Sequence, residues 1–417
     1  MAGAKMSKEE KRALAVEKLA KVLGQGRRSA AAAGGDDSED EADVLEAILA
    51  SETLEDAKRL ARERLDRGDS GKRYAQLVKQ DRADAAAAPQ RIDAVLRSLH
   101  RKTHDAAATR AGYWRDNFAH GLAVERPAAG HSTDAGAVPR LSSDEARVLN
   151  EHLARTGFFT SASMPWGDDI SLPQIVSAMA DLKREGWPAA FVFAYREPWL
   201  IIERLFDFVG SLLGTEDLAI EPSVFAWLLD PPSGHVSKAG NNGFHLPHRD
   251  FTFAETFDAR GDIKTLSVWL PLSDVDARNG CMFVLPKEFD DAHDQPNHPA
   301  HLRAATPTRN GALTLQFPLQ GIRPLEAPAG AVLGWHGNTI HWGSRCASDA
   351  PFPRASIAVT FCRASVGCLE GNTLLTRQDV TALDLKGRLS AVAWSLIMHK
   401  RWFPLEDSMV PSALFSE

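Results

Sequence analysis

An imidazole and a carboxylate two residues apart are the first groups in this chain with chemistry to offer. They are His248 and Asp250, in the stretch Gly243–Phe251, which reads GFHLPHRDF. In an extended backbone residues i and i+2 point to one face, so the two side chains can converge. One nitrogen and one oxygen donor on a common face are most of a facial triad. That arrangement, two His and one carboxylate with open positions opposite, suits non-haem Fe(II). Alone the pattern is weak: in a chain with 14 His, on the order of one H-x-D arises by chance. A second His must come from elsewhere.

The stretch Gly330–Ser344, GAVLGWHGNTIHWGS, supplies it. His341 lies 341 − 248 = 93 residues beyond His248. That is too far for a local zinc loop and natural for two strands meeting at the mouth of a barrel. His336 competes, but His341 follows the Gly/Asn turn at the start of the next extended run, which leaves His336 to packing. Downstream, Arg354 and Ser356 head the apolar strand Ile357–Phe361. An inward-facing Arg beside such a hydroxyl can hold a carboxylate bidentately. A small dicarboxylate would then be held by the metal at one end and by Arg354 at the other. Arg345 is a second candidate for this clamp, and Ser344 a further hydrogen-bonding group.

The elements that must position these residues belong to an ordinary globular chain. It has 417 residues, 44% hydrophobic and 25% charged, which suggests one large domain plus appended material. A net charge of -7 gives no reason to expect nucleic acid or an anionic membrane as partner. No apolar run reaches membrane-spanning length and the N-terminus lacks a secretory pattern, so a cytoplasmic location is expected. The four Cys have no zinc-type pairing and fit a reduced compartment.

Residues 1–120 read as a helical, partly disordered extension, and its helices are a candidate protein-binding arm. Residues 121–140 form a Pro/Gly/Ala linker, and a folded domain is expected over 141–417. Ser142 with Glu145 makes a capping box that opens a helix to about Arg155. Gly157–Thr160 reads as a first strand. Ser171–Glu185 and Pro198–Leu213 read as helices, with Phe191–Tyr195 a short strand between them. Beyond Glu221 short β-type runs follow: Val224–Leu229, Thr265–Leu272, Met282–Leu285, Leu313–Phe317, Ala331–Trp335 and Ser356–Phe361. Helices first and then many short strands predict an α+β fold, a barrel or two-sheet jelly roll flanked by helices. A last amphipathic helix is expected from about Leu389 to Trp402.

The order of these motifs resembles the phytanoyl-CoA dioxygenase family of Fe(II)/2-oxoglutarate oxygenases, over about residues 145–365. The resemblance rests on PHRD at Pro247–Asp250, LSVWLPLSDVDARNGCMFVLP at Leu266–Pro286, and GAVLGWHGNTIHWGSR at Gly330–Arg345. Where the family usually has Gly-Ser-His after the Leu-Pro, this chain has Lys287-Glu288-Phe289, a departure in a loop. The resemblance implies a double-stranded β-helix. It implies iron on His248, Asp250 and His341, and the far carboxylate of 2-oxoglutarate on Arg354 and Ser356. With O2, such a site hydroxylates a small organic or acyl substrate and releases succinate and CO2. Asp250 speaks against a halogenase, in which a halide would take the carboxylate's place.

The loop Pro231–Gly243 reads as a lid or substrate loop, with His235 and Lys238 able to meet an anionic group. Phe244, His245 and Trp269 are pocket or core residues. Two other classes compete: a catalytically inactive β-helix binding module, and a non-oxidative metal-dependent enzyme on the same barrel. The intact set of five residues speaks against the first, and a dicarboxylate clamp speaks against the second.

Overall fold

The computed structural model describes residues 110–118, 121–125, 140–231, 247–295, 306–307, 313–314, 317–366 and 374–398, all within the unit Gln80–Glu417. It mixes helices with antiparallel sheets. The helices are α1 (Ala111–Asn117), α2 (Ser143–Thr156), α3 (Leu172–Arg184), α4 (Glu197–Leu213), α5 (Phe253–Thr256), α6 (Arg377–Ala382) and α7 (Leu385–Met398). None is long and apolar enough to cross a membrane.

The strands are β1 (Phe158–Ser163), β2 (Leu218–Leu229), β3 (Thr265–Pro271), β4 (Met282–Val284), β5 (Thr306–Pro307), β6 (Leu313–Thr314), β7 (Arg323–Leu325), β8 (Ala331–His336), β9 (His341–Gly343), β10 (Arg354–Arg363) and β11 (Leu375–Thr376). They form a six-stranded sheet in the order β1-β8-β3-β10-β2-β11, a three-stranded sheet in the order β7-β4-β9, and the pair β5-β6.

Strand alternation divides the core in two. Leu266, Val268 and Leu270 of β3 and Ala355, Ile357, Val359 and Phe361 of β10 pack toward the helices. The residues between them face the other way. There Trp269, Leu333 and Trp335 meet Met282, Val284 and Leu325 of the small sheet in a second cluster. This period of two is what a sheet buried on both faces demands. Each fully buried Leu, Ile or Phe contributes about 1.5–3 kcal/mol, so the helix-side layer anchors the large sheet. The other face can then carry polar groups: Ser267, Arg354 and Ser356 all lie on it.

Sequence patterning locates most elements. Ser142 and Glu145 form the expected capping box at the start of α2, and α2 ends at Gly157 with φ 83°. The segment expected as a strand at Phe191–Tyr195 is instead a 3-10 helix, Ala189–Ala194. Ala190 to Ala194 are all buried, so no alternation separates a strand from a helical turn there. β2 begins at Leu218, earlier than expected, because β10 and β11 pair with its first residues. Of the expected strand Leu313–Phe317, Leu313–Thr314 is seen as strand. α7 begins at Leu385, ahead of the expected Leu389, and its expected end at Trp402 lies outside the described residues.

The folded body also reaches further back than the expected start near Leu141. Trp114 of α1 is fully buried, stacked on Phe118 and Phe191 at ring-centroid distances of 5.8 Å. Its carbonyl accepts the Tyr195 hydroxyl at 3.0 Å. Leu122 and Val124 join the same core. Aromatic burial, thin in count but large in area, is what ties this segment down. The remainder of the expected 1–120 extension and most of the 121–140 linker lie outside the described residues. Trp114→Ala is expected to destabilise the protein by about 3–5 kcal/mol in equilibrium denaturation. A change under 1 kcal/mol would mean that α1 is an ornament on the domain.

Candidate metal centre

The two His candidates meet through their backbones. The His248 N–H donates to the His341 carbonyl at 3.0 Å, and the His341 N–H donates back at 2.9 Å. This is an isolated antiparallel bridge and not the continuous strand expected around His248. On its other side His341 pairs with Val284 of β4, so the His248 segment lies beside β9 of the small sheet. Two further contacts fix so short a segment. The Phe251 N–H donates to the Gly337 carbonyl at 2.9 Å. A Cβ on Gly337 would sit 2.5 Å from Thr265 Oγ1, so this approach needs glycine. Thr252 and Glu255 form a capping box that starts α5 directly after Asp250.

The side chains follow. His248 Nε2 lies 3.3 Å and His341 Nε2 3.6 Å from Asp250 Oδ1. The three ligand atoms are all within 4.8 Å of one another. Neighbouring donors at about 2.1 Å from one ion lie about 3 Å apart, so the set fits a single metal. The peptide carbonyl of Thr339 lies 3.0 Å from His341 Nδ1. A carbonyl accepts only, so Nδ1 carries the proton and the Nε2 lone pair is left for a metal. Burial pushes the His341 pKa down to about 4 against the pull of Asp250, which keeps the ring neutral near neutral pH. Burial acts to raise the Asp250 pKa, but His341, His248 and the Ser267 hydroxyl outweigh it and hold the carboxyl below its ordinary range.

Arg249, between the two ligands, points the opposite way. Its guanidinium grips Asp290 through two nitrogens at 2.6 and 2.9 Å and also donates to the Asn338 carbonyl. Both side chains of the pair are almost fully buried. The clamp joins the H-x-D segment to the turn that carries His341. Sequence reasoning missed it, although a charged residue flanked by two inward ligands must find a buried counter-ion.

Arg354 and Ser356 lie on the inner face of β10, the face that also carries Trp269 and Ser267. Arg354 is 2% exposed and sits over the Trp269 ring, 5.8 Å from its centroid. It donates to the Gly280 carbonyl, but among the described residues its Nε has no partner, and neither does the fully buried Ser356 hydroxyl. Among the described residues no carboxylate pairs with Arg354. Burial pulls its pKa down to about 10, so the cation persists at neutral pH. A buried guanidinium without a counter-ion and a buried hydroxyl without a partner, among the described residues, are both costly to bury. The competing Arg345 is exposed. Ser344 is half-buried and donates, at a long 3.4 Å, to the Arg345 carbonyl.

His336 is not drawn to the metal donors. It alternates with Trp335 and points to the helix side, against Phe257 and His293 at ring distances of 5.0 and 5.6 Å. It lines a separate cavity of about 560 Å³ there. Among the described residues both of its ring nitrogens lack hydrogen-bond partners. Trp269 proves to be core between the sheets. His235, Lys238, Phe244 and His245 lie outside the described residues.

With the geometry in place, comparison with known proteins is informative at the family level. Residues 201–355 match the phytanoyl-CoA dioxygenase family. No curated protein matches the chain. Among solved structures, the non-heme alpha ketoglutarate dependent epimerase SnoN from nogalamycin biosynthesis is similar at 17% identity, over 54% of this chain and 84% of that one, with a TM-score of 0.37. Apo HygX from Streptomyces hygroscopicus is similar at 14% identity, over 56% and 90%, with a TM-score of 0.36. EctD from S. alaskensis with 2-oxoglutarate and 5-hydroxyectoine is similar at 17%, over 58% and 83%, with a TM-score of 0.32. These overlaps are too loose to carry function across.

Two outcomes follow from the buried groups. Arg249→Met leaves the Asp290 carboxylate buried without its counter-ion and is expected to cost about 3–5 kcal/mol of stability in urea denaturation. The second concerns pH. His341 and His336 have pKa values pushed down to about 4 and about 3 by burial, against an ordinary 6.5. Between those values the unfolded chain binds the protons and the folded chain does not, so stability of the metal-free protein falls as pH drops from about 6.5 toward 4. Each group contributes a slope of about 1.4 kcal/mol per pH unit. His336→Leu is expected to remove one proton's worth of that slope in denaturation curves taken at several pH values. At neutral pH it should be neutral or stabilising, because it deletes two unpaired polar atoms.

Proposed function

From the match of residues 201–355 to the phytanoyl-CoA dioxygenase family, we propose that this chain is an Fe(II)- and 2-oxoglutarate-dependent oxygenase on a double-stranded β-helix. The six-stranded and three-stranded sheets are the two walls of that β-helix. His248, Asp250 and His341 hold the iron. Arg354, with Ser356, holds the far carboxylate of 2-oxoglutarate. The observation that carries this reading is the occurrence of two complementary groups in the interior between the two sheets. One is the convergence of His248, Asp250 and His341, whose ligand atoms lie within 4.8 Å of one another. The other is a buried cation with no partner anion among the described residues.

Bound iron and 2-oxoglutarate would supply the reduction of O2 coupled to decarboxylation, giving succinate, CO2 and an oxidised substrate, with hydroxylation of a small organic or acyl compound as the outcome. The chain's own residues do the rest. The Thr339 carbonyl fixes the His341 tautomer, so its Nε2 faces the ion. Arg354 and the Ser356 hydroxyl orient the dicarboxylate by donating to one end. Trp269 lies against the Arg354 guanidinium and Trp335 against the His341 ring, each Trp 3% exposed, and so they keep water from these groups.

Anaerobic titration with Fe(II) and 2-oxoglutarate tests the reading through the weak visible charge-transfer band of an iron-bound keto acid. The band is expected in the unaltered protein and lost in Asp250→Ala. In Arg354→Ala, losing a charge-assisted hydrogen bond should weaken 2-oxoglutarate binding about 10–100-fold. Iron binding without the band would reject the clamp and favour a non-oxidative metal enzyme; binding of neither would favour an inactive binding module.

A further inference from the structure

The two oxygens of the Asp250 carboxylate have different surroundings. Oδ1 faces the imidazoles, 3.3 Å from His248 Nε2 and 3.6 Å from His341 Nε2. Oδ2 turns away and is held by protein. The Ser267 hydroxyl donates to it at 2.6 Å, and Trp335 Nε1–H reaches it at 3.4 Å. Ser267 of β3 and Trp335 of β8 stand directly opposite each other in the ladder. Side chains opposite each other on adjacent antiparallel strands project from the same face. The two donors are therefore a cross-strand pair fixed by the interior of the six-stranded sheet, and both aim at one oxygen.

We infer that Ser267, seconded by Trp335, is a positioning residue that commits Asp250 to bind metal through Oδ1 alone and so keeps three coordination places open. The inference rests on the reading of His248, Asp250 and His341 as an iron site. An octahedral ion with two His nitrogens and one carboxylate oxygen has three places left. A chelating keto acid takes two and O2 the third. A carboxylate binding through both oxygens would leave two places, and keto acid and O2 would compete. The Ser267 hydroxyl occupies Oδ2 with a short, charge-assisted hydrogen bond and prevents that rotation. Ser267 is 6% exposed, so water does not substitute readily for its hydroxyl. Trp335 holds the ring side of the same oxygen, with a longer and weaker bond.

The test uses Co(II) and 2-oxoglutarate on the full chain, read by calorimetry, with the melting temperature of the metal-free protein alongside. Ser267→Ala is expected to weaken Co(II) binding by about 10–100-fold. At saturating Co(II) it should weaken 2-oxoglutarate binding by about ten-fold more, because the freed Oδ2 competes for a place. The metal-free melting temperature should stay within about 3 °C. Ser267→Thr keeps the hydroxyl, suits a strand, and should restore both affinities to within a few-fold. Trp335→Phe should give a smaller loss than Ser267→Ala.

If Ser267→Ala binds Co(II) and 2-oxoglutarate as the unaltered protein does, the inference is overturned while the iron reading stands. It is also overturned if the losses merely track a lowered melting temperature, or if Ser267→Thr behaves like Ser267→Ala. If the unaltered protein binds neither probe, the iron reading itself fails, which is a separate and recognisable result.

Discussion

Two backbone hydrogen bonds, His248 to His341 and back, are the constraint on which the site depends. They join segments far apart in the chain, and no ladder extends them. A single bridge is weak by itself, since one antiparallel pair gains little against the chain entropy it must overcome. The surrounding structure supplies what the bridge lacks. β4 and β7 support His341 from behind, through the ladder of the small sheet. The Thr252–Glu255 cap sets the exit direction of the His248 segment. The irregular ligand segment is therefore fixed at its partner, behind its partner, and at its exit.

Two buried arginines show how the fold separates structure from ligand binding. Arg249 has its counter-ion: a bidentate carboxylate and a peptide carbonyl take its two terminal nitrogens, while Nε has no partner among the described residues. A buried ion pair of this kind adds little net stability, but removing either partner is costly, so it works as a fastener. Arg354 is equally buried and has a carbonyl contact and an aromatic face, but no carboxylate partner among the described residues. Folding could have placed an Asp beside it, as it did for Arg249. Desolvating a cation without an anion is unfavourable. The contrast, a counter-ion for Arg249 and none among the described residues for Arg354, is what the proposed dicarboxylate site rests on.

Much of this was legible in the sequence because it depends on short periods. The H-x-D spacing puts two side chains on one face whether or not the backbone is a full strand, so the pair survives the replacement of a strand by a bridge. The alternation from Arg354 to Phe361 places the clamp inward and the apolar set on the helices. What escaped depends on contacts between distant segments. Asp290 is 41 residues from Arg249, and no local pattern joins them. Trp114 is buried by Phe191 and Trp187, partners invisible from its own polar surroundings in the sequence. The 3-10 helix at Ala189–Ala194 is buried on all sides, so its period cannot be read.

The same distances bear on when the site can form. Asp250 takes its hydrogen-bond partners from residues 17 and 85 positions away, on two strands of the large sheet. Its imidazole neighbours depend on the small sheet. No local fragment of the chain contains this environment, so a metal binds the folded state far better than the unfolded one. Affinity of that kind is stabilisation by linkage, growing with the logarithm of free metal over its dissociation constant. Much of what holds the carboxylate in place nevertheless exists before a metal arrives: the Ser267 hydroxyl, the Trp335 indole and the opposed strands that carry them. Because the sheet and its helix-side core fix those groups, the ordering cost is met during folding, and metal binding has little left to organise.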